Sequence, residues 1–220
     1  MNERPSQWRA LLETQWKWTR GLSLIGVLLG FALPLLSLRT AAGMESLTSF
    51  ISMMGSWGVA YAIAAGALGL ATGVLVWGFD HRLRHVYALA LPIERWRYVL
   101  FRYGAGVVSL SFPILAVLIG AEIASHSALV PKELHAYTIA LTLRFGFAVL
   151  VAYSLFFAIS AATARTAGYI LGAIGVLIVA QVLFQAANTH VDVLSNAIRL
   201  VITTPGLLAV FGGRWTLIDV

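Results

Sequence analysis

The chain has 220 residues, 60% of them hydrophobic and 11% charged, with a mean hydropathy of +0.86 and a formal net charge of +6. A soluble domain of this size is about half apolar and a quarter charged, so the composition excludes a soluble enzyme, a disulfide-stapled secreted domain and a disordered tail. With no cysteine in the sequence, disulfide, thiolate-metal and Cys-nucleophile chemistry are excluded as well.

The first 20 residues hold no apolar core ahead of a small-residue cleavage site, so no signal peptide is expected. Ser6, after Pro5, suits a helix N-cap. From there Arg9, Glu13, Lys17 and Arg20 share one face, with charges able to alternate at i,i+4. Trp8, Leu12 and Trp16 form an adjacent apolar stripe, widened by Leu11 and Trp18. Tryptophan favours the headgroup level of a bilayer. A basic, Trp-rich amphipathic segment directly before a span predicts an interfacial helix over 6–20; the plainer alternative is a positively charged anchor.

Five apolar stretches follow, at about 21–38, 51–79, 103–125, 136–163 and 167–187, each long enough for the roughly 20 residues of a membrane crossing. The second and fourth exceed that need and are expected to tilt or protrude. A weaker segment at 197–213 carries Arg199 and the run Thr203-Thr204-Pro205-Gly206, which predicts a short or re-entrant element. The expected fold is therefore all-α: one polytopic helical membrane domain over 1–220, with five clear spans, a sixth short or re-entrant segment, and the interfacial helix.

Lys and Arg near span ends set orientation. If the chain crosses at every segment, Arg4, Arg9, Lys17, Arg20, Arg82, Arg84, Arg95, Arg97, Arg102, Arg165 and Arg214 share one side, eleven against Arg39 and Lys132 on the other. The N-terminus and the 80–102 linker are thus expected to be cytoplasmic. With 197–213 re-entrant, Arg214 changes sides and the count becomes ten to three, which preserves the orientation.

The one sizeable hydrophilic element is that linker. Leu83, Val86, Tyr87, Ala90 and Leu91 recur at helical spacing and predict a helix over 82–91 that Pro92 stops; a second helix restarts near Glu94. A short helix projected between two spans suits the presentation of a surface to a cytosolic partner. A basic connector on anionic headgroups, at about 1 kcal/mol per Lys or Arg, is the alternative.

The run from Phe79 to Arg102 resembles the linker of ABC transporter permeases of the type-2, exporter class. The matching features are acidic Asp80 closing span two, Leu89, Leu91 and Pro92 ending a short helix, then Arg95, and Arg102 opening span three. The sequence departs from that family in having Asp80 where Glu is commoner, and in reaching Val220 without the family's further long span. The resemblance implies a bacterial cytoplasmic-membrane permease subunit, paired with a second permease subunit as a homo- or heterodimer, each docked on a cytosolic ATP-binding subunit. ATP and Mg would sit on that partner, with no cofactor on this chain, no activity of its own as an enzyme, and no nucleic-acid partner. Arg82, Arg84, His85, Tyr87 and Ala88 would dock in the ATPase, and Asp80, Pro92, Arg95 and Arg102 would brace the linker. The sequence contains no G-x-x-x-x-G-K-[ST] loop to cradle ATP phosphates itself.

Ionisable residues at membrane depth are functional candidates. Glu122 and Arg144 both fall in the outer half, where they could pair or line a pathway, or Arg144 could snorkel to the headgroups. Gln181 and Gln185 share one face of the fifth span, as a hydrophilic strip or as interhelical glue. Gly26/Gly30, Gly69/Gly73 and Gly168/Gly172 mark close helix contacts within or between chains. His81 and His85 stand i,i+4 without a third ligand, so no metal site is expected. Ser154 and Ser160 lack a nucleophile-elbow context. A secondary transporter would need a matching pair of broken segments, which the sequence lacks; it and an intramembrane scaffold or enzyme are the alternatives to an exporter subunit.

Overall fold

The computed structural model describes residues 4–44, 46–82, 94–127, 134–162, 168–169, 171–176, 179, 206–213 and 215–219, with backbone alone at 4–12, 14, 79–82, 162 and 219. Four long helices dominate: α1 (Arg4–Ala41), α2 (Leu47–Arg82), α3 (Arg95–Ser125) and α4 (Thr138–Ala162). Each contains a segment long and apolar enough to cross a membrane, at Gln15–Ala41, Leu47–Gly78, Arg95–Ser125 and Thr138–Ala161. The chain is a helical membrane protein with these four candidate spans. The fifth expected span, at 167–187, lies mostly outside the described residues; 168–169, 171–176 and 179 are helical.

Local chemistry sets the helix ends. Ala42 and Met44 donate their N–H groups to Leu38 O and Ala41 O as α1 finishes. Ser46 then caps α2, its Oγ accepting from Ser49 N at 3.2 Å, which satisfies one of the free donors of a helix start. α3 begins at Arg95, where the Tyr98 amide donates to Glu94 O. An exposed Arg97–Glu94 ion pair at 2.9 Å flanks that start.

The helices pair in an interleaved order. α1 lies chiefly on α3 and α2 on α4, with α1–α2 and α3–α4 contacts closing the bundle. Both tight pairs run parallel. Gly26 faces Pro113, Gly30 faces Val117 and Gly120 faces Phe31 along α1/α3, while Gly69 and then Gly73 face residues 149–153 and 156–157 along α2/α4. Two of the three glycine pairs noted in the sequence are thus spent on packing within the chain. No described atom lies within 4 Å of a side chain added at Gly168 or Gly172. The buried core includes Leu38, Met54, Tyr61, Leu110, Phe145, Val149 and Tyr153. Leu28, Val59, Ile63, Leu115 and Phe147 point outward, as expected where lipid surrounds the bundle.

One expectation needs correction, the separate helix over 6–20. α1 is a single helix of 38 residues with no break at Arg20. At 1.5 Å per residue it is about 57 Å long, almost twice the ~30 Å hydrocarbon core. No proline interrupts it between Pro5 and Pro34, and its Gln15, Thr19 and Ser23 are buried against the bundle. Packing therefore carries the helix through the predicted boundary. The start also differs: Ser6 lies inside the helix rather than capping it.

In the last segment, expected to be short or re-entrant, the described residues 206–213 hold a five-residue 3-10 helix, Leu207–Phe211. Beyond it, β2 (Ile218–Asp219) pairs antiparallel with β1 (His135–Ala136), the loop just before α4, and Tyr137 N donates to Leu217 O at 2.8 Å. Trp215, Leu217 and Ile218 are buried there.

Candidate functional site

Buried polar side chains gather in the half of the bundle nearest the linker. Arg102 lies at their centre, two turns into α3 and 7% exposed. Its Nη1 donates to Val76 O at 2.6 Å and to Gln15 Oε1 at 3.1 Å. Its Nε and Nη2 donate to the Tyr98 hydroxyl at 3.0 and 2.8 Å. One guanidinium thereby joins α1, α2 and α3. The planar fork of fixed donors lets one side chain serve these three partners at once. Because Arg102 can only donate, it also fixes the Gln15 amide with Oε1 towards it.

From Gln15 a polar ladder climbs the α1/α3 seam. Thr19 Oγ1 lies 3.1 Å from Ser109 Oγ, and Ser23 Oγ donates to Ser109 O at 3.5 Å. On the other side of α3, the Tyr103 hydroxyl meets Ser154 Oγ at 2.8 Å and the Tyr153 hydroxyl donates to Tyr103 O at 3.0 Å. Gly106 leaves room for that hydroxyl. Trp77 Nε1 donates to Phe157 O at 3.1 Å, tying α2 to α4. All four helices are therefore linked by side-chain hydrogen bonds just above the linker. Such buried groups are costly unless satisfied.

The expected site residues scatter relative to this centre. Arg102 belongs to it. Arg95 is the first residue of α3 and is exposed. Asp80 and Arg82 fall within α2, whose described residues end at Arg82, the position assigned to the start of the docking helix. Arg84, His85, Tyr87, Ala88 and Pro92 lie outside the described residues, as do Gln181 and Gln185. Trp8 and Leu12 are in α1, described by backbone alone. Trp16 is 44% exposed and meets the Phe112 ring at 5.5 Å on the outer surface of the bundle.

Glu122 and Arg144 have separate partners rather than each other. Glu122 Oε1 accepts from the Thr138 hydroxyl at 2.6 Å, and its Oε2 lies 3.8 Å from His126 Nδ1. Arg144 Nε donates to Val210 O at 3.2 Å, and its guanidinium stacks over the Trp215 ring at 5.0 Å. Arg144 is thus a tether for the C-terminal segment. Changing Arg144 to Gln removes the cation over Trp215, worth about 0.5–2 kcal/mol. The expected result is faster protease cleavage at 206–213 in membranes, with unchanged cleavage elsewhere.

Gln15, Tyr98, Thr19, Ser23 and Ser109 were not anticipated as a centre. Gln15, Thr19 and Ser23 recur at spacing four across the entry to an apolar span, which is a legible signal for an inward polar stripe. Among the described residues no group of three His, Asp or Glu could hold a metal ion. The chain matches no family model, no curated protein and no solved structure.

Proposed function

We propose that this chain is the membrane-spanning permease subunit of an ATP-driven exporter, oriented with the N-terminus and linker in the cytoplasm and driven by a separate ATP-binding subunit. The observation that carries this reading is Arg102. In the Phe79–Arg102 resemblance it is the basic residue opening span three, and it is buried with bonds to Val76 of α2 and Gln15 of α1. A linker whose exit is pinned to three helices can pass a push from outside the membrane into the bundle as a unit. Compact bundles transmit such displacements because packed interiors deform little. In this reading the 82–91 helix receives the push, with Arg84 to Ala88 at the contact, and the spans with those of a second permease subunit, identical or not, form the path.

The test looks for an ATP-binding subunit encoded beside this chain's gene and co-expresses it with the full chain. Co-purification from membranes is expected, with ATP-dependent movement of cargo in vesicles. Tyr87→Asp would place a charge in the docked contact and weaken association by about 2 kcal/mol or more, near 30-fold. Insertion of the spans would be unaltered. Association and ATP-driven transport both undiminished in Tyr87→Asp would remove the docking role, and transport without any ATPase would remove the exporter reading.

A further inference from the structure

The α1/α3 seam is built in two unlike halves that meet at Pro113. On the loop side the backbones touch. A side chain added at Gly30 would lie 2.8 Å from Pro113 O, and one at Gly120 would lie 2.7 Å from Phe31 O. Nothing there can shift without parting the helices. On the linker side the helices are joined by hydroxyls and one amide. The Pro113 ring sits between the halves, in a notch left by Gly26, where an added side chain would meet its Cγ at 2.9 Å.

We propose that the linker half of this seam opens and closes, with Pro113 in its glycine notch as the fulcrum. The hydroxyls suit a reversible joint. Thr19 Oγ1 also bonds Gln15 O at 3.0 Å within α1, and Ser109 Oγ bonds Ala105 O at 3.1 Å within α3. When the helices part, each hydroxyl keeps an acceptor on its own helix, so opening strands neither donor. Pro113 has no N–H, so Ser109 O lacks its helical partner, and the Ser23 bond that serves it is long at 3.5 Å. Opening also breaks the bond from Arg102 to Gln15. At 3.1 Å it is longer than a usual charge-assisted bond, and Arg102 retains Val76 O and the Tyr98 hydroxyl without it. Gln15 Nε2 is buried with no acceptor in the closed arrangement, which favours the open one. Gln15 is thus the latch. The joint stands on the packing and hydrogen bonds of this seam and does not depend on the exporter reading.

The cysteine-free sequence allows paired spin labels in the full chain, reconstituted in lipid nanodiscs. An inner pair at Lys17→Cys and Val99→Cys reports the linker half, and an outer pair at Leu36→Cys and Ile123→Cys the loop half; all four positions are exposed. The inner pair is expected to show two distance populations, the second about 3 Å longer, the room that a bridging water needs between hydroxyls now in contact. The outer pair is expected to show one. Gln15→Leu, and independently Thr19→Val, should shift the inner pair towards the longer distance and leave the outer pair unmoved. A single inner population as narrow as the outer one overturns the proposal, whatever the variants do. Broadening of both pairs together overturns Pro113 as the fulcrum.

Discussion

Gly69→Ala is expected to destabilise the bundle by about 3 kcal/mol, at the upper end of the 1–3 kcal/mol typical of overpacking. The added methyl would lie 2.5 Å from Val149 O, 2.7 Å from Ala152 Cβ and 2.8 Å from Tyr153 N. Two of these three are backbone atoms, and the third is a methyl carbon fixed to the backbone, so no rotamer change relieves the contact. α2 and α4 must move apart along the whole seam, loosening buried Val149, Ala152 and Tyr153. Gly104→Ala is the control, since a side chain there meets nothing within 4 Å and alanine has the higher helix propensity. Equilibrium unfolding in mixed micelles should show the first variant far below the unsubstituted chain and the second level with it. Equal stability of the two variants would mean that α2 and α4 do not pack as described.

Arg102→Leu is expected to have an effect of similar size from an opposite cause. It adds no clash and removes a charge whose hydrogen bonds each contribute about 1.5–3 kcal/mol. Val76 O, Gln15 Oε1 and the Tyr98 hydroxyl all lose their donor. The bonds are not additive, and about 3 kcal/mol is the expected total. Arg102→Lys should recover part of it, because an ammonium reaches one or two of the partners but cannot span all three. A leucine variant as stable as the lysine variant would show that the guanidinium fork is dispensable.

The spans were legible because hydropathy is a property of contiguous sequence. The four described spans overlap the apolar stretches at 21–38, 51–79, 103–125 and 136–163, within a few residues at most ends. Arg102 was legible as a linker brace, yet its partners were not: one is the backbone carbonyl of Val76 and another, Gln15, is 87 residues away. Charge pairing was misleading for Glu122 and Arg144, since Arg144 is engaged by a carbonyl and a ring that no charge pattern signals. At the N-terminus the charged and Trp-rich faces suggested a boundary near Arg20. The decisive face was the quieter one of Gln15, Thr19 and Ser23, because in lipid the hydroxyl-bearing stripe turns inward and the apolar one outward. At 197–213, Pro205-Gly206 signalled the break, whereas the pairing of Ile218–Asp219 with His135–Ala136 left no periodicity to read.

The interleaved order of the helices bears on how the chain is made. Helices emerge from a ribosome in sequence, but α1 finds its tight partner only when α3 arrives, and α2 only when α4 does. After the first two helices are synthesised, the glycine notches at Gly30, Gly69 and Gly73 still lack the surfaces that fill them. A nascent two-helix hairpin is therefore an assembly intermediate with unfilled grooves rather than a folding unit. The interval before α3 and α4 enter is when a membrane chaperone, or the grooves of another nascent chain, would compete for them.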